Sequence, residues 1–205
     1  MSDNPCVTCL GDTRRASFPT LLIIGREYND TGAVGTAFGT YNISVGSAFW
    51  NRSYRFVERA CVLPTQLKTL CIRSNSSPIL FSNALPISIP NAMRNKFKGR
   101  CAVSPGQIDA HIGSVFSACA SERLRIVIMS VGQAPVFAPA KRSVAEECAK
   151  RDLQLLELPY IANQRMTNAT LDAALSSQGR DSLRAIVSSF VRHAEQNTIT
   201  KARQQ

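Results

Sequence analysis

The chain has 205 residues, of which 44% are hydrophobic and 19% are charged, a composition typical of one folded globular domain and not of a disordered chain. No apolar run approaches the roughly 18 residues that a membrane-spanning helix needs, and the first residues lack the apolar core of a signal peptide, so we expect a cytoplasmic protein. The net charge of +10 fits either a polyanionic partner such as nucleic acid or a basic surface that only aids solubility.

Four apolar segments, each typical of a buried strand, are spaced along the chain. They are Thr20–Gly25, Pro78–Leu85, Leu124–Ser130 and Leu153–Leu158. Because their apolar character is nearly continuous, these strands suit a sheet that is covered on both faces. Strands that alternate with helical patterns indicate a parallel arrangement. We therefore predict a single α/β domain over residues 1–205, in which helices flank both faces of a four-stranded parallel sheet.

Two serines mark possible starts of helices between the later strands. Ser104 has the position of an N-cap before Pro105, and apolar residues follow it at helical spacing. Ser143 and Glu146 have the spacing of a capping box. This second pattern predicts a helix over Val144–Arg151.

Three further predictions concern the two ends of the chain and the long segment between the first two strands. Apolar spacing after Gly179 predicts a C-terminal helix over residues 180–205. Residues 1–19 form an N-terminal segment for which no element is predicted. The polar, aromatic and glycine-rich sequence of Asp30–Thr69 is interpreted as long loops.

Polar residues follow each predicted strand, and we expect them to meet because parallel α/β sheets bind ligands outside the carboxyl ends of their strands. At those ends lie Glu27, Tyr28, Asn29, Asn83, Ser130, Gly132, Gln133, Tyr160, Asn163, Gln164 and Arg165. The sequence therefore predicts one cleft lined by a carboxylate, amides, a tyrosine and an arginine. Gly25, which ends the first strand, would let the backbone approach a ligand closely.

The residue types in this cleft limit the kinds of reaction that it could catalyse. No glycine-rich nucleotide motif follows a strand. The histidines, His111 and His193, fall in predicted helices away from the strand ends, so we predict neither a His-based triad nor a His-based zinc site. Glu27 is therefore the remaining candidate for a catalytic residue. A carboxylate can polarise a water or stabilise the cationic sugar that forms when a glycosidic bond breaks. A basic protein with a carboxylate, an asparagine and aromatic residues suits action on a flipped-out nucleobase.

Several cysteines are candidate ligands for a metal ion. Cys6 and Cys9 have CxxC spacing, and a metal site would need two more soft ligands, for which Cys61, Cys71 and Cys101 are the candidates. The pattern is incomplete and the total of seven cysteines is odd. We therefore expect reduced thiols, with no metal and no other cofactor.

Five segments together resemble the uracil-DNA glycosylase superfamily in their order and position. They are TLLIIGREYN, the pair Phe49-Trp50, ILFSNALP, RIVIMSVGQA and LELPYIANQR, and the resemblance covers roughly Leu21 to Asn168. It implies a four-stranded parallel α/β fold that flips a base out of DNA and cleaves its N-glycosidic bond. We assign Phe49 and Trp50 themselves to the core and not to a wedge that enters DNA.

The resemblance implies roles for particular residues. Glu27 matches the position of the water-activating residue, and Asn83 matches the asparagine that reads the base. The further base-binding candidates are Tyr28, Phe38, Tyr41 and Tyr160, and the DNA-binding candidates are Arg26, Asn163 and Arg165. The CxxC is similar to that of the iron–sulfur branch of the family, but Ile87 stands where that branch has its third cysteine. No cluster through Cys6, Cys9 and Cys101 is therefore expected.

Three departures from the family pattern bear on the substrate. Tyr28 replaces a proline, Tyr160 replaces a histidine and Glu27 is longer than the usual Asp or Asn. These changes imply a base other than ordinary uracil. The resemblance extends to an antiviral branch, which implies excision of glucosylated hydroxymethylcytosine from double-stranded phage DNA. We expect the protein to be a monomer. The alternatives are excision of uracil or damaged bases in repair, a non-catalytic DNA-binding module on the same fold, and a hydrolase of nucleosides or nucleotide sugars.

Overall fold

The computed structural model describes residues 7–9, 17–26, 28–30, 48–63, 66–86, 88–90, 103–119, 122–161 and 167–203. Its elements in chain order are β1 (Thr8–Cys9), β2 (Thr20–Gly25), β3 (Tyr28–Asp30), α1 (Ala48–Cys61), α2 (Leu67–Ser74), β4 (Ile79–Asn83), β5 (Ser88–Pro90), α3 (Pro105–Ala118), β6 (Leu124–Met129), α4 (Ala138–Lys150), β7 (Gln154–Glu157), α5 (Asn168–Ala173) and α6 (Ser177–Arg203). A short 3₁₀ turn, Pro135–Phe137, leads directly into α4.

The main sheet has five strands in the order β1-β4-β2-β6-β7. Strands β4, β2, β6 and β7 run parallel to their neighbours, while β1 is antiparallel to β4. The predicted α/β class and the four predicted parallel strands are thus confirmed. The structure adds the edge strand β1, inside the N-terminal segment, and a separate two-stranded parallel sheet of β3 and β5.

Both faces of the sheet are covered by helices, as predicted. Alternate residues of β2 point to opposite faces. Leu21 and Ile23 belong to a core with residues of α1, α2, α5 and α6, whereas Leu22 and Ile24 belong to a core with α3 and α4. All of these β2 side chains are fully buried, because β2 lies in the middle of the sheet. Strand β7 is only half-buried, since it forms an edge.

The interpretation of Asp30–Thr69 as loops was wrong, because this range contains α1 and the start of α2. Trp50, Tyr54, Val57 and Ala60 recur at helical spacing, and all four are buried against the sheet. The assignment of Trp50 to the core is confirmed. Tertiary burial of this apolar stripe stabilises a segment whose aromatic residues and serine have modest helix propensity.

Of the two helix starts that were predicted at serines, the structure confirms one and contradicts the other. Ser104 caps α3 through a complete capping box with Gln107, which confirms the predicted start. Ser143 does not begin a helix, because α4 already starts at Ala138. The Ser143 hydroxyl instead donates within α4 to the carbonyl O of Pro139, 3.0 Å away, and also contacts the Asp109 carboxylate of α3. The predicted helix over Val144–Arg151 is confirmed up to Lys150, but its predicted start was wrong because the same short pattern occurs inside helices.

The C-terminal helix is confirmed over most of its predicted range, although α6 begins three residues earlier than residue 180. It packs with α1 and α2 through Leu183, Val187 and Phe190, which are fully buried. Among the helices of the described ranges, none combines the length and the apolar character needed to cross a membrane.

Candidate functional site

The carboxyl ends of the four parallel strands lie at one edge of the sheet, called the carboxyl edge below. It is formed by Gly25 at the end of β2, Asn83 at the end of β4, Ser130 just after β6 and Leu158 just after β7. Gly25 is the register partner of Asn83, and the Ser130 amide donates to the carbonyl O of Ile24 at 2.9 Å. The edge is therefore continuous across the strands.

The strand order reverses between β2 and β6, and the region outside the strand ends at this reversal is called the crevice below. After β2 the chain moves to β4 on one side, and it later crosses to β6 on the other side. Loops that leave the sheet at such a reversal diverge, and open α/β sheets bind ligands there. Arg26 spans this crevice, because its Nε donates to the carbonyl O of Val131, 3.0 Å away. The first residue after β2 is thus tied to the loop that follows β6.

The guanidinium of Arg26 also lies on an aromatic ring. Its Cζ is 4.1 Å from the centre of the Tyr160 ring and 5.8 Å from that of Phe137. The first distance is well within the range of a cation–π interaction. Gly132 has a φ of +80°, and a Cβ there would lie 3.1 Å from Nη2 of Arg26. The loop after β6 thus leaves room for a planar cation with several further N–H donors.

Phe49 supplies a second aromatic ring from the first turn of α1. Its ring centre is 5.9 Å from that of Tyr160, and the two planes are inclined by only 15°. A Cβ on Gly25 would lie 3.0 Å from atoms of the Phe49 ring. A larger residue at Gly25 would therefore require the Phe49 ring to shift by a few tenths of an ångström. The assignment of Phe49 to the core is only partly correct, since the residue is half-buried and also faces Tyr160.

Asn83 lies beside Phe49 at this edge and is 5% exposed, which is low for a polar side chain. Its Oδ1 lies 3.4 Å from the position that a Cβ on Gly25 would take. The amide is thus held between β4 and the glycine end of β2. Its backbone carbonyl accepts a hydrogen bond from Nε2 of His111, 2.9 Å away.

A buried serine holds the loop that carries Tyr160. The Ser130 hydroxyl donates to the carbonyl O of Pro159 at 3.0 Å and accepts from the amide of Ile161 at 2.8 Å. Ser130 is fully buried. Because both residues that flank Tyr160 are bound to the end of β6, the tyrosine has a defined position at the carboxyl edge.

Three predicted site residues, Arg26, Asn83 and Tyr160, are thus joined by direct contacts or through Phe49 and Gly25. Tyr28 lies in β3, whose partner is β5 and not the main sheet. The other predicted site residues lie outside the described residues; they are Glu27, Phe38, Tyr41, Asn163 and Arg165.

The expectation that both histidines lie away from the strand ends was wrong for His111. This residue is on α3, and its hydrogen bond to Asn83 connects the helix to the carboxyl edge. His111 stands on the apolar stripe of α3 with Ile108 and Ile112, which are both buried. A polar residue on such a stripe is a sign in the sequence that a buried partner exists. Phe49 was missed as a site residue because α1 itself was not predicted.

Metal binding has no support from the described cysteines. In the described part of the chain, no group of three or more His, Cys, Asp or Glu residues could hold a metal ion. Cys71 is fully buried in the core, and Cys61 is half-buried near it. Cys6, Cys101 and Ile87 lie outside the described residues. Cys9 is in β1, and its side chain is outside them as well.

We expect Cys61 and Cys148 to resist alkylation by iodoacetamide at pH 8 in the folded protein. Burial raises the pKa of the Cys61 thiol to about 11 and that of Cys148 to about 12. Because alkylation requires the thiolate, a rise of two units from 9.0 lowers the reactive fraction of Cys61 by about 100-fold. Peptide mass mapping of native and urea-unfolded samples measures this protection. Labelling of both cysteines at equal rates in the two samples would contradict it.

Comparisons of the chain with protein-family models, with curated proteins and with solved structures give no match. The class of protein is therefore given by the fold, which is α/β with four parallel strands and helices on both faces. Its distinguishing feature is the set of cationic, aromatic and amide groups at the carboxyl edge.

Proposed function

We propose that this protein is a monofunctional DNA glycosylase, which flips a modified pyrimidine out of double-stranded DNA and hydrolyses its N-glycosidic bond. The observation that carries the proposal is the contact of Tyr160 with Arg26 and Phe49 at the carboxyl edge, with the Asn83 amide and the Phe49 ring both near Gly25. A flipped base needs an aromatic surface to stack on and an amide to read its hydrogen-bonding edge. Its flanking phosphates need a cation. The proposal includes a uracil-DNA glycosylase-like version of the α/β fold.

The charge of the whole chain supports DNA as the partner. A net charge of +10 favours encounter with a polyanion. Arg26 adds a permanent positive charge at the crevice itself, where its plane is fixed by Tyr160 and by the carbonyl of Val131. A fixed guanidinium loses little conformational freedom when it binds a phosphate. This cost would be higher for an arginine that is free in solvent.

Glu27 is the proposed catalytic residue, because it is the next residue in the sequence after Arg26. In the proposed reaction the bond between C1′ and the base nitrogen breaks, and the bonding electrons leave with the base. A water oxygen adds to C1′, and Glu27 accepts the proton that the water releases. This proton then passes to the departing base. The products are the free base and an abasic site.

The proposed preferred substrate is glucosylated hydroxymethylcytosine in phage DNA, so that the protein would act in antiviral defence. The support is the resemblance of the sequence to that branch of the superfamily, together with Tyr28, Tyr160 and Glu27, which depart from the uracil pattern. We propose that the protein acts as a cytoplasmic monomer without a cofactor.

The test of the activity is alkali cleavage of four otherwise identical duplexes after incubation with the full-length protein. The duplexes carry one cytosine, uracil, hydroxymethylcytosine or glucosylated hydroxymethylcytosine. We expect alkali-labile sites on the glucosylated duplex and none on the cytosine duplex. Salt-sensitive binding without cleavage of any duplex would exclude a glycosylase acting on these bases and would favour a non-catalytic DNA-binding module. Cleavage of free nucleotides at the same rate as the duplexes would favour a small-molecule hydrolase.

The role of Glu27 is tested by the substitution Glu27→Gln, which keeps the size of the side chain and removes its charge. We expect the single-turnover rate to fall by roughly 10²–10⁴-fold, the usual contribution of a positioned acid or base. The matched control is Glu146→Gln, since Glu146 is exposed on α4. A Glu27→Gln variant that cleaves as fast as the control would reject this catalytic role while leaving the activity itself in place.

A further inference from the structure

Asn83 is the last residue of β4, and the pairing of β4 with β2 ends at the Gly25–Asn83 pair. The backbone beyond it stays bonded to the end of β2, since the Ala84 amide donates to the carbonyl oxygens of Gly25 and Arg26, at 2.8 and 3.0 Å. The carbonyl of Asn83 accepts instead from a side chain, that of His111 on α3. The peptide group between Asn83 and Ala84 is therefore held through its N–H by the end of β2 and through its carbonyl by His111 of α3.

The direction of this hydrogen bond is fixed by its partner. A carbonyl oxygen only accepts, so Nε2 of His111 carries the proton and donates across 2.9 Å. Burial of the His111 ring lowers its pKa, and the hydrogen bond to Asn83 offsets part of this effect. The ring is therefore neutral at neutral pH and donates without placing a charge beside the asparagine.

The packing of α3 gives the contact its rigidity. Ile108 and Ile112, which flank His111 on the same stripe, are buried in the core that covers Leu22 and Leu80 of the sheet. The helix also begins with the Ser104 capping box, so its start is well defined. A side chain on a packed helix holds its partner more precisely than a side chain on a loop would.

We propose that His111 is the positioning residue for Asn83, holding the end of β4 so that the Asn83 amide meets the hydrogen-bonding edge of the bound base. This inference rests on the proposed function, in which Asn83 reads that edge. Small displacements of a substrate-contacting group can lower a rate strongly, by about 100-fold for roughly 1 Å. His111 would thus influence the choice of base without contacting it.

Two substitutions separate positioning from packing. His111→Gln keeps an N–H donor at similar reach, whereas His111→Leu keeps a similar volume and removes the donor. On the duplex that the wild type cleaves, we expect His111→Leu to lower the single-turnover rate by roughly 10- to 100-fold with unchanged affinity for unmodified DNA. We expect His111→Gln to recover most of this rate. The control is His193→Gln, because His193 lies on α6 and bonds Ser17 and Asn197.

A second readout does not depend on activity. In ¹H–¹⁵N spectra of the full-length protein, the side-chain amide signals of Asn83, assigned by their loss in Asn83→Ser, should shift in His111→Leu and stay close to wild type in His111→Gln. Equal effects of the two substitutions on the rate and on these signals would overturn the proposal, as would unchanged signals in His111→Leu. If the wild type cleaves no duplex, the proposed function fails, and the Asn83 signals alone then decide whether His111 positions this residue.

Discussion

We expect Asn83→Ala to lower the single-turnover rate of base excision by about 100-fold, which corresponds to about 2.7 kcal/mol of transition-state stabilisation. Asn83 is nearly buried, and its amide lies against the glycine end of β2. In the proposed complex, removing the amide leaves the hydrogen-bonding edge of the base without its partner. Such losses are larger than those caused by removing an apolar contact.

A same-shape substitution makes this test more specific. Asn83→Asp keeps the outline of the side chain but replaces its NH₂ donor by an acceptor. We expect it to be as inactive as Asn83→Ala on the preferred duplex, while both variants bind unmodified DNA like the wild type. The control is Gln178→Ala, since Gln178 is an exposed amide on α6. Equal loss of rate on all cleaved bases would contradict base reading by Asn83.

The second large effect is expected on stability. We expect Phe81→Ala to lower the free energy of unfolding by about 3–5 kcal/mol, the usual cost of removing a large aromatic side chain from a core. Phe81 is fully buried in the middle of β4. Its ring stacks on Trp50 with centres 4.8 Å apart, and it also contacts Tyr54 and Phe49 at 5.8 and 6.2 Å. The substitution would therefore remove the main aromatic contact between α1 and the sheet.

Urea denaturation followed by circular dichroism measures this effect. Phe81→Leu should lower the free energy of unfolding by less than Phe81→Ala does, because it leaves a smaller cavity. Ile72→Ala is the control, since Ile72 on α2 is 52% exposed. We expect a change of at most about 0.5 kcal/mol for this surface position. A loss below about 1 kcal/mol in Phe81→Ala would show that α1 does not depend on this contact.

The contact between Phe81 and α1 also explains why α1 was difficult to predict. The segment contains aromatic residues, asparagine and serine, which are modest helix formers. The helical spacing of Trp50, Tyr54 and Val57 was present in the sequence. Composition suggested a loop, and burial against β4 outweighed that local preference.

The strands were predicted well because each is defined by a local pattern. Thr20–Gly25 has the same bounds in sequence and structure, and the other three parallel strands end within two residues of their predicted limits. A strand that is an apolar run ending at a glycine or a polar residue can be predicted without knowledge of distant parts of the chain. The helix start at Ser104 was predicted for the same reason, whereas Ser143 shows that the same kind of pattern can mislead inside a helix.

The candidate site was predicted only as a set of strand ends. The sequence placed Arg26 and Tyr160 after strands and Asn83 at the end of a strand, and the rule for parallel sheets then placed them at one edge. It did not indicate Phe49 as the ring beside Tyr160 or His111 as the partner of Asn83. Both contacts depend on how α1 and α3 pack onto opposite faces of the sheet.

By itself, the sequence determined the α/β class, four strands and the polar character of the carboxyl edge, because hydrophobic runs and the residues that end them are local properties. Tertiary structure alone decided the order β4-β2-β6-β7, and with it the crevice that Arg26 spans. It also decided the hydrogen bonds that link Arg26 to Val131 and His111 to Asn83, which join residues 105 and 28 positions apart. Such contacts form because packing of the helices on the sheet brings distant segments together, and no local pattern records that packing.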